Sequence, residues 1–115
     1  MDAAERAGQI AEALQQARGS FGWPVGASVY RGSYAVTVRG GCAACDPGAC
    51  RECGHLFTGE IFTIEHLTRG KRVISDRTVH YLGHGITRYE TGYIVRGEPV
   101  IVEIDLEELA GYLDL

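Results

Sequence analysis

The stretch ITRYETGYIVRGEPVIVEIDLEELAGYL, residues 86–113, predicts two β-strands followed by a helix. β-branched and aromatic residues lie on both sides of a turn-forming segment at 96–98, which indicates a β-hairpin. Asp105 then stands at an N-cap position, and Glu108 three residues later completes the pattern of a capping box. A hairpin that leads directly into a capped helix is typical of an α+β domain.

The N-terminal part of the chain predicts a second helix over residues 2–18. Asp2 is a suitable N-cap and Gly19 a suitable C-terminal stop. The apolar positions recur at the spacing of one helical face, and they are Ala3, Ala7, Ile10, Leu14 and Ala17. We expect this Ala-rich face to pack closely against the core.

The segment between the two helices predicts several more strands. Residues 27–39 indicate a hairpin, 56–67 alternate in polarity, and 72–75 form a further short strand candidate. Residues 76–84 fit either a helix or a strand. The expected fold is a single α+β domain over 1–115, with N- and C-terminal helices packed on a mainly antiparallel sheet and a compact four-cysteine zinc-knuckle loop, residues 40–55, inserted between strands.

The segment CAACDPGACREC, residues 42–53, contains all four cysteines of the chain. Two C-x2-C units can direct four thiolates at one ion, which is the closed tetrahedral shell of a structural zinc site. The predicted metal ligands are Cys42, Cys45, Cys50 and Cys53. An iron–sulfur cluster is the alternative cofactor, and redox or disulfide cysteines are a third interpretation. His55 follows closely and is expected to support the ligands, or to replace one thiolate.

His80 and His84 are four residues apart, so on a helix they would lie one turn apart and could chelate an ion together. On a strand they would be about 13 Å apart and could not. Glu90 or His66 could supply a third ligand. This second metal or catalytic site is a weaker hypothesis than the cysteine site, because ordinary surface or core-edge histidines explain the same pattern.

The densest basic segment is TRGKRVISDR, residues 68–77, with Arg69, Lys71, Arg72 and Arg77. Such a segment could contact nucleic acid phosphates. The formal net charge of the chain is −4, however, so the overall charge does not favour nucleic acid.

Hydrophobic residues make up 45% and charged residues 23% of the chain, which is ordinary for a globular protein. No apolar run approaches the roughly 20 residues of a membrane span, and the N-terminus lacks signal-peptide features, so we expect a cytoplasmic protein without membrane association. The sequence predicts a zinc-stapled module that acts by binding a protein partner or as a homodimer. The alternatives are a nucleic-acid-binding regulator and, more weakly, a metal-dependent enzyme.

Overall fold

The computed structural model describes residues 1–19, 27–40 and 48–115, and it confirms the α+β class. A four-stranded antiparallel sheet has the order β1-β2-β3-β4, and a separate two-stranded sheet contains β5 and β6. The elements in chain order are α1 (Ala3–Gly19), β1 (Ala27–Arg31), β2 (Tyr34–Arg39), β3 (Ile61–His66), β4 (Gly70–Ser75), α2 (Asp76–Gly83), β5 (Arg88–Val95), β6 (Glu98–Glu103) and α3 (Leu106–Tyr112).

The core lies between the three helices and one face of the four-stranded sheet. Phe62 and Ile64 on β3 are fully buried, and in register they oppose Val38 and Val36 of β2. Intervening side chains such as Thr63 and Glu65 point to the opposite face, because successive residues of a strand alternate. The polarity pattern of this segment therefore predicted its buried face correctly.

Helix α1 buries the apolar face that its sequence predicts, except at its first position. Ala7, Ile10, Leu14 and Ala17 are buried, whereas Ala3 is exposed in the first turn. Asp2 is the N-cap, since its carboxylate accepts a hydrogen bond of 2.8 Å from the amide of Glu5.

Residues 76–83 form a helix, which decides the ambiguity of the sequence. The Ser75 hydroxyl caps α2 by accepting a hydrogen bond from the amide of Thr78, and Gly85 beyond its end has a positive φ of 78°. Val79 and Leu82, three residues apart, are both fully buried in the core. Burial of this face outweighs the β-propensity of the Thr, Val and Tyr residues in the segment.

The C-terminal hairpin and helix form as predicted, with one difference. The Asp105 carboxylate caps α3 by accepting hydrogen bonds of 3.1 Å from the amides of Glu107 and Glu108. The Glu108 carboxylate, which a capping box would direct back to the N-cap, accepts a hydrogen bond of 2.8 Å from Arg72 on β4. This contact fastens α3 to the four-stranded sheet. None of the described helices combines the length and apolar content needed to cross a membrane.

Candidate metal centre

Cys50 and Cys53 lie at the two ends of a tight turn between β2 and β3. The amide of Gly54 donates to the carbonyl of Cys50 at 2.9 Å, and the amide of Cys50 donates to the carbonyl of His55 at 2.8 Å. The amide of Glu52 also donates to the Cys50 sulfur at 3.4 Å. Gly54 has a φ of 77°, which glycine adopts at low cost. These bonds hold the turn so that both sulfurs point to one side.

Helix α2 presents His80 and His84 to the same place. The two residues are one helical turn apart, and their Nε2 atoms are 3.3 Å from each other. The sulfur of Cys53 lies 3.2 Å from the Nε2 atom of His80. The ligand atoms of Cys50, Cys53, His80 and His84 all lie within 4.8 Å of one another.

Two of the distances within the group are close to those expected around a single tetrahedral ion. Zinc binds nitrogen at about 2.0 Å and sulfur at about 2.3 Å, so neighbouring ligand atoms in its shell are about 3.3–3.8 Å apart. The two short contacts of His80, at 3.2 and 3.3 Å, fall close to that spacing before any ion draws the groups together. The two-sulfur, two-nitrogen donor set is also one that zinc commonly uses in structural sites.

The four candidate ligands lie at the surface, and one of them is buried. Cys50 is buried, His80 is half-buried, and Cys53 and His84 are exposed. Burial lowers the pKa of His80, and the charges of His55 and His84 lower it further, while Asp76 opposes this change. A lowered pKa favours the neutral imidazole, which is the form that binds a metal.

His55 packs against His80 and also approaches the carboxylate of Asp76. The His55 ring stacks on the His80 ring with centroids 4.4 Å apart and an interplanar angle of 12°. Its Nε2 atom is 3.8 Å from the carboxylate of Asp76, which is only 1% exposed and accepts a hydrogen bond from the amide of Thr58. His55 thus contacts His80, a candidate ligand, while its predicted role beside the four cysteines stays a prediction.

Cys42 and Cys45 lie outside the described residues, so the predicted set of four cysteines stays a prediction. The sequence pattern predicted the cysteines and the His80/His84 pair as two separate sites, whereas the structure brings Cys50 and Cys53 together with the two histidines. The signal was present, because C-x2-C followed by H-x3-H is the pattern of zinc sites with two cysteines and two histidines. The long intervening segment, residues 54–79, includes β3 and β4 and obscured this relation.

Other candidate residues lie away from this group. Glu90 is on β5, where its carboxylate is 4.0 Å from the guanidinium of Arg51. His66 is on β3 and contacts the carboxylate of Asp114 at 2.8 Å. Neither belongs to the cluster of ligand atoms that the described part of the chain forms.

The cations of the basic segment 68–77 have different neighbours, and the guanidinium of Arg69 lies beside Gly111 of α3. Arg72 bonds Glu108 on the helix side of the sheet, and Lys71, its neighbour on β4, points to the opposite side. Arg77 lies on α2, where its guanidinium packs 4.7 Å from the ring centroid of Phe57 and donates to the carbonyl of Thr91. The use of this segment as a nucleic-acid interface stays a prediction.

The fold and this cluster define a class: an α+β domain with a candidate metal centre of two cysteines and two histidines between a cysteine turn and a short helix. Comparison with known proteins adds no family to that class, since no protein-family model, curated protein or solved structure matches the chain.

Proposed function

We propose that this protein is a zinc-stapled, non-enzymatic module in which Cys50, Cys53, His80 and His84 hold one zinc ion. The observation that carries the proposal is the convergence of four ligand atoms within 4.8 Å from two segments far apart in the chain. The ion would join the turn at 50–53 to α2, and so fasten the inserted loop to the core.

Zinc fits this site better than an iron–sulfur cluster. Where two cysteines and two histidines hold a two-iron cluster, the sulfurs bind one iron and the imidazoles bind the other. Such a division separates each thiolate from each imidazole. The contact of 3.2 Å between Cys53 and His80 places a sulfur and a nitrogen at the spacing of one shell instead.

A structural role follows from the number of ligands. Catalytic zinc sites have three protein ligands and leave a position for water or substrate, whereas four protein ligands close the shell. Because the coordination shell is then closed, the module acts through its protein surface. We therefore expect binding of a partner rather than catalysis, with the metal contributing to folding.

The experiment that tests the proposal is a metal count combined with X-ray absorption spectroscopy. Protein purified anaerobically without chelators is expected to contain one zinc per chain, with two sulfur and two nitrogen neighbours. Four sulfur neighbours would overturn the assignment of two cysteines and two histidines and favour the four-cysteine shell. Iron with sulfide, or no metal at all, would overturn the zinc staple itself.

A His66→Asn variant is the matched control for this measurement. It removes another histidine, which lies on β3 and bonds Asp114 outside the cluster. Its zinc content and its spectrum are expected to equal those of the unmodified chain.

A further inference from the structure

The four candidate ligands are divided equally between two elements of the fold. Cys50 and Cys53 belong to one turn, and His80 and His84 belong to helix α2 and its C-cap. Both sulfurs of this shell therefore come from residues three apart in the chain. A single disulfide between them would remove every thiolate ligand at once and leave two histidines on the helix. In a shell of four cysteines, the same bond would leave two thiolates on the ion.

The turn holds the two cysteines in a geometry close to that of a disulfide. The hydrogen bond from the amide of Gly54 to the carbonyl of Cys50 closes one helical turn. Residues three apart in such a turn have Cα atoms about 5 Å apart, within the range of about 4.4–6.8 Å for disulfides. The two sulfurs lie within 4.8 Å of each other, so they need to approach by less than about 3 Å to form the bond.

The two cysteines differ in their access to solvent. Cys53 is exposed, whereas Cys50 is only 3% exposed and packs with Phe57 and Tyr81 in a small apolar cluster apart from the main core. An oxidant from solution therefore meets the sulfur of Cys53 first. Redox-sensitive cysteines commonly combine an accessible thiolate with a second cysteine that resolves it. Zinc coordination keeps the sulfur deprotonated, which is its nucleophilic form.

We propose that Cys50 and Cys53 form a reversible redox switch, in which a hydroperoxide joins the two sulfurs in a disulfide and the zinc ion is released. This inference rests on the zinc shell proposed above, since it describes the regulation of that same site. Hydrogen peroxide is the simplest oxidant of this class. The reduced, zinc-loaded form has the turn fastened to α2, and the oxidised form has lost this link.

The reaction consists of two displacements at sulfur. The thiolate of Cys53 attacks the O–H oxygen of the hydroperoxide, the O–O bond breaks, hydroxide or alkoxide leaves, and the sulfur becomes a sulfenic acid. The thiolate of Cys50 then attacks this sulfur, the S–S bond forms, the S–O bond breaks, and hydroxide leaves. The two thiolates together lose two electrons and the peroxide gains them, while zinc stays divalent.

Release of zinc should loosen the turn from α2. Loss of two of four equal ligands raises the zinc dissociation constant roughly 10⁴- to 10⁶-fold. The described contacts that remain include the small apolar cluster and a hydrogen bond of 3.5 Å from the amide of Arg51 to the hydroxyl of Tyr81. A hydrogen bond of this length is weak. Reduction of the disulfide in the presence of zinc restores the shell and the link.

The test uses the zinc-loaded full chain with Cys42→Ser and Cys45→Ser, in which Cys50 and Cys53 are the remaining cysteines. The protein is treated with hydrogen peroxide in the presence of a chromophoric zinc indicator. We expect one zinc ion to be released for each disulfide that forms. Addition of dithiothreitol should restore zinc binding.

Peptide mapping identifies the bond, because Arg51 lies between the two cysteines and trypsin cleaves after it. In the denatured and alkylated digest, the two flanking peptides stay joined only where the disulfide has formed. Intact mass separates this reaction from oxidation of Met1, since a disulfide removes two hydrogens and a sulfoxide adds one oxygen. Cys53→His in the same background is the matched control, because it keeps a potential ligand but no second sulfur, and its peptides should separate.

Three results would overturn the switch: a disulfide form that keeps its zinc, zinc release through sulfinic or sulfonic acids without a disulfide, or no thiol oxidation in excess peroxide. Zinc content measured before oxidation tests the shell separately. A chain that arrives without zinc refutes the shell of two cysteines and two histidines, and the switch with it. A chain that holds one zinc and keeps it in peroxide refutes the switch alone.

Discussion

Replacing His80 by Asn should weaken zinc binding by two to three orders of magnitude. Structural zinc sites in small peptides bind with about 10–16 kcal/mol at neutral pH, so four equal ligands contribute about 2.5–4 kcal/mol each. Loss of one ligand then corresponds to a roughly 100- to 1,000-fold higher dissociation constant. His80 lies 3.2 Å from the Cys53 sulfur and 3.3 Å from the Nε2 atom of His84, so its removal opens the shell at its centre.

The assay is a competition titration against a chromophoric zinc chelator at fixed pH, with His66→Asn as the control. If His80→Asn bound zinc as tightly as the unmodified chain, the shell of two cysteines and two histidines would be refuted. A parallel loss of affinity in Cys42→Ser would then identify the four-cysteine shell as the true site. Circular dichroism of each variant shows whether the domain is still folded when its affinity is measured.

Three further predictions concern folding and stability. Phe62→Ala should lower the free energy of unfolding by about 3–5 kcal/mol, since its ring is fully buried, and a change below about 1 kcal/mol in urea titrations would contradict the packing. Asp105→Ala should lower the free energy of unfolding by about 1 kcal/mol, because α3 loses its N-cap. Asp105→Asn retains a capping oxygen and should change this free energy little. Thermal unfolding of the two variants checks the difference. Removing zinc with a chelator should speed hydrogen exchange in residues 48–57 and in α2, but leave the pairing of β2 with β3 protected; uniform loss of protection would mean that the metal holds the whole domain.

Much of the local structure could be predicted because its signals lie within a few residues. Asp2 and Asp105 cap their helices as their sequence positions indicate. The alternation around Phe62 and Ile64 identified the buried face of β3, since a strand has only two faces. The structure differs where a distant partner intervenes, as at Glu108, whose carboxylate binds Arg72 from β4 and not its own helix end.

The sequence by itself therefore determined the α+β class, the order of most elements and the cysteine turn as a candidate ligand source. Tertiary structure decided that residues 76–83 are helical, because burial of Val79 and Leu82 outweighs local preference. It also decided that His80 and His84 face Cys50 and Cys53, which depends on how α2 packs after β3 and β4. Periodicity reports which side of an element is buried, but only the packing of one element on another brings side chains from distant segments to one point.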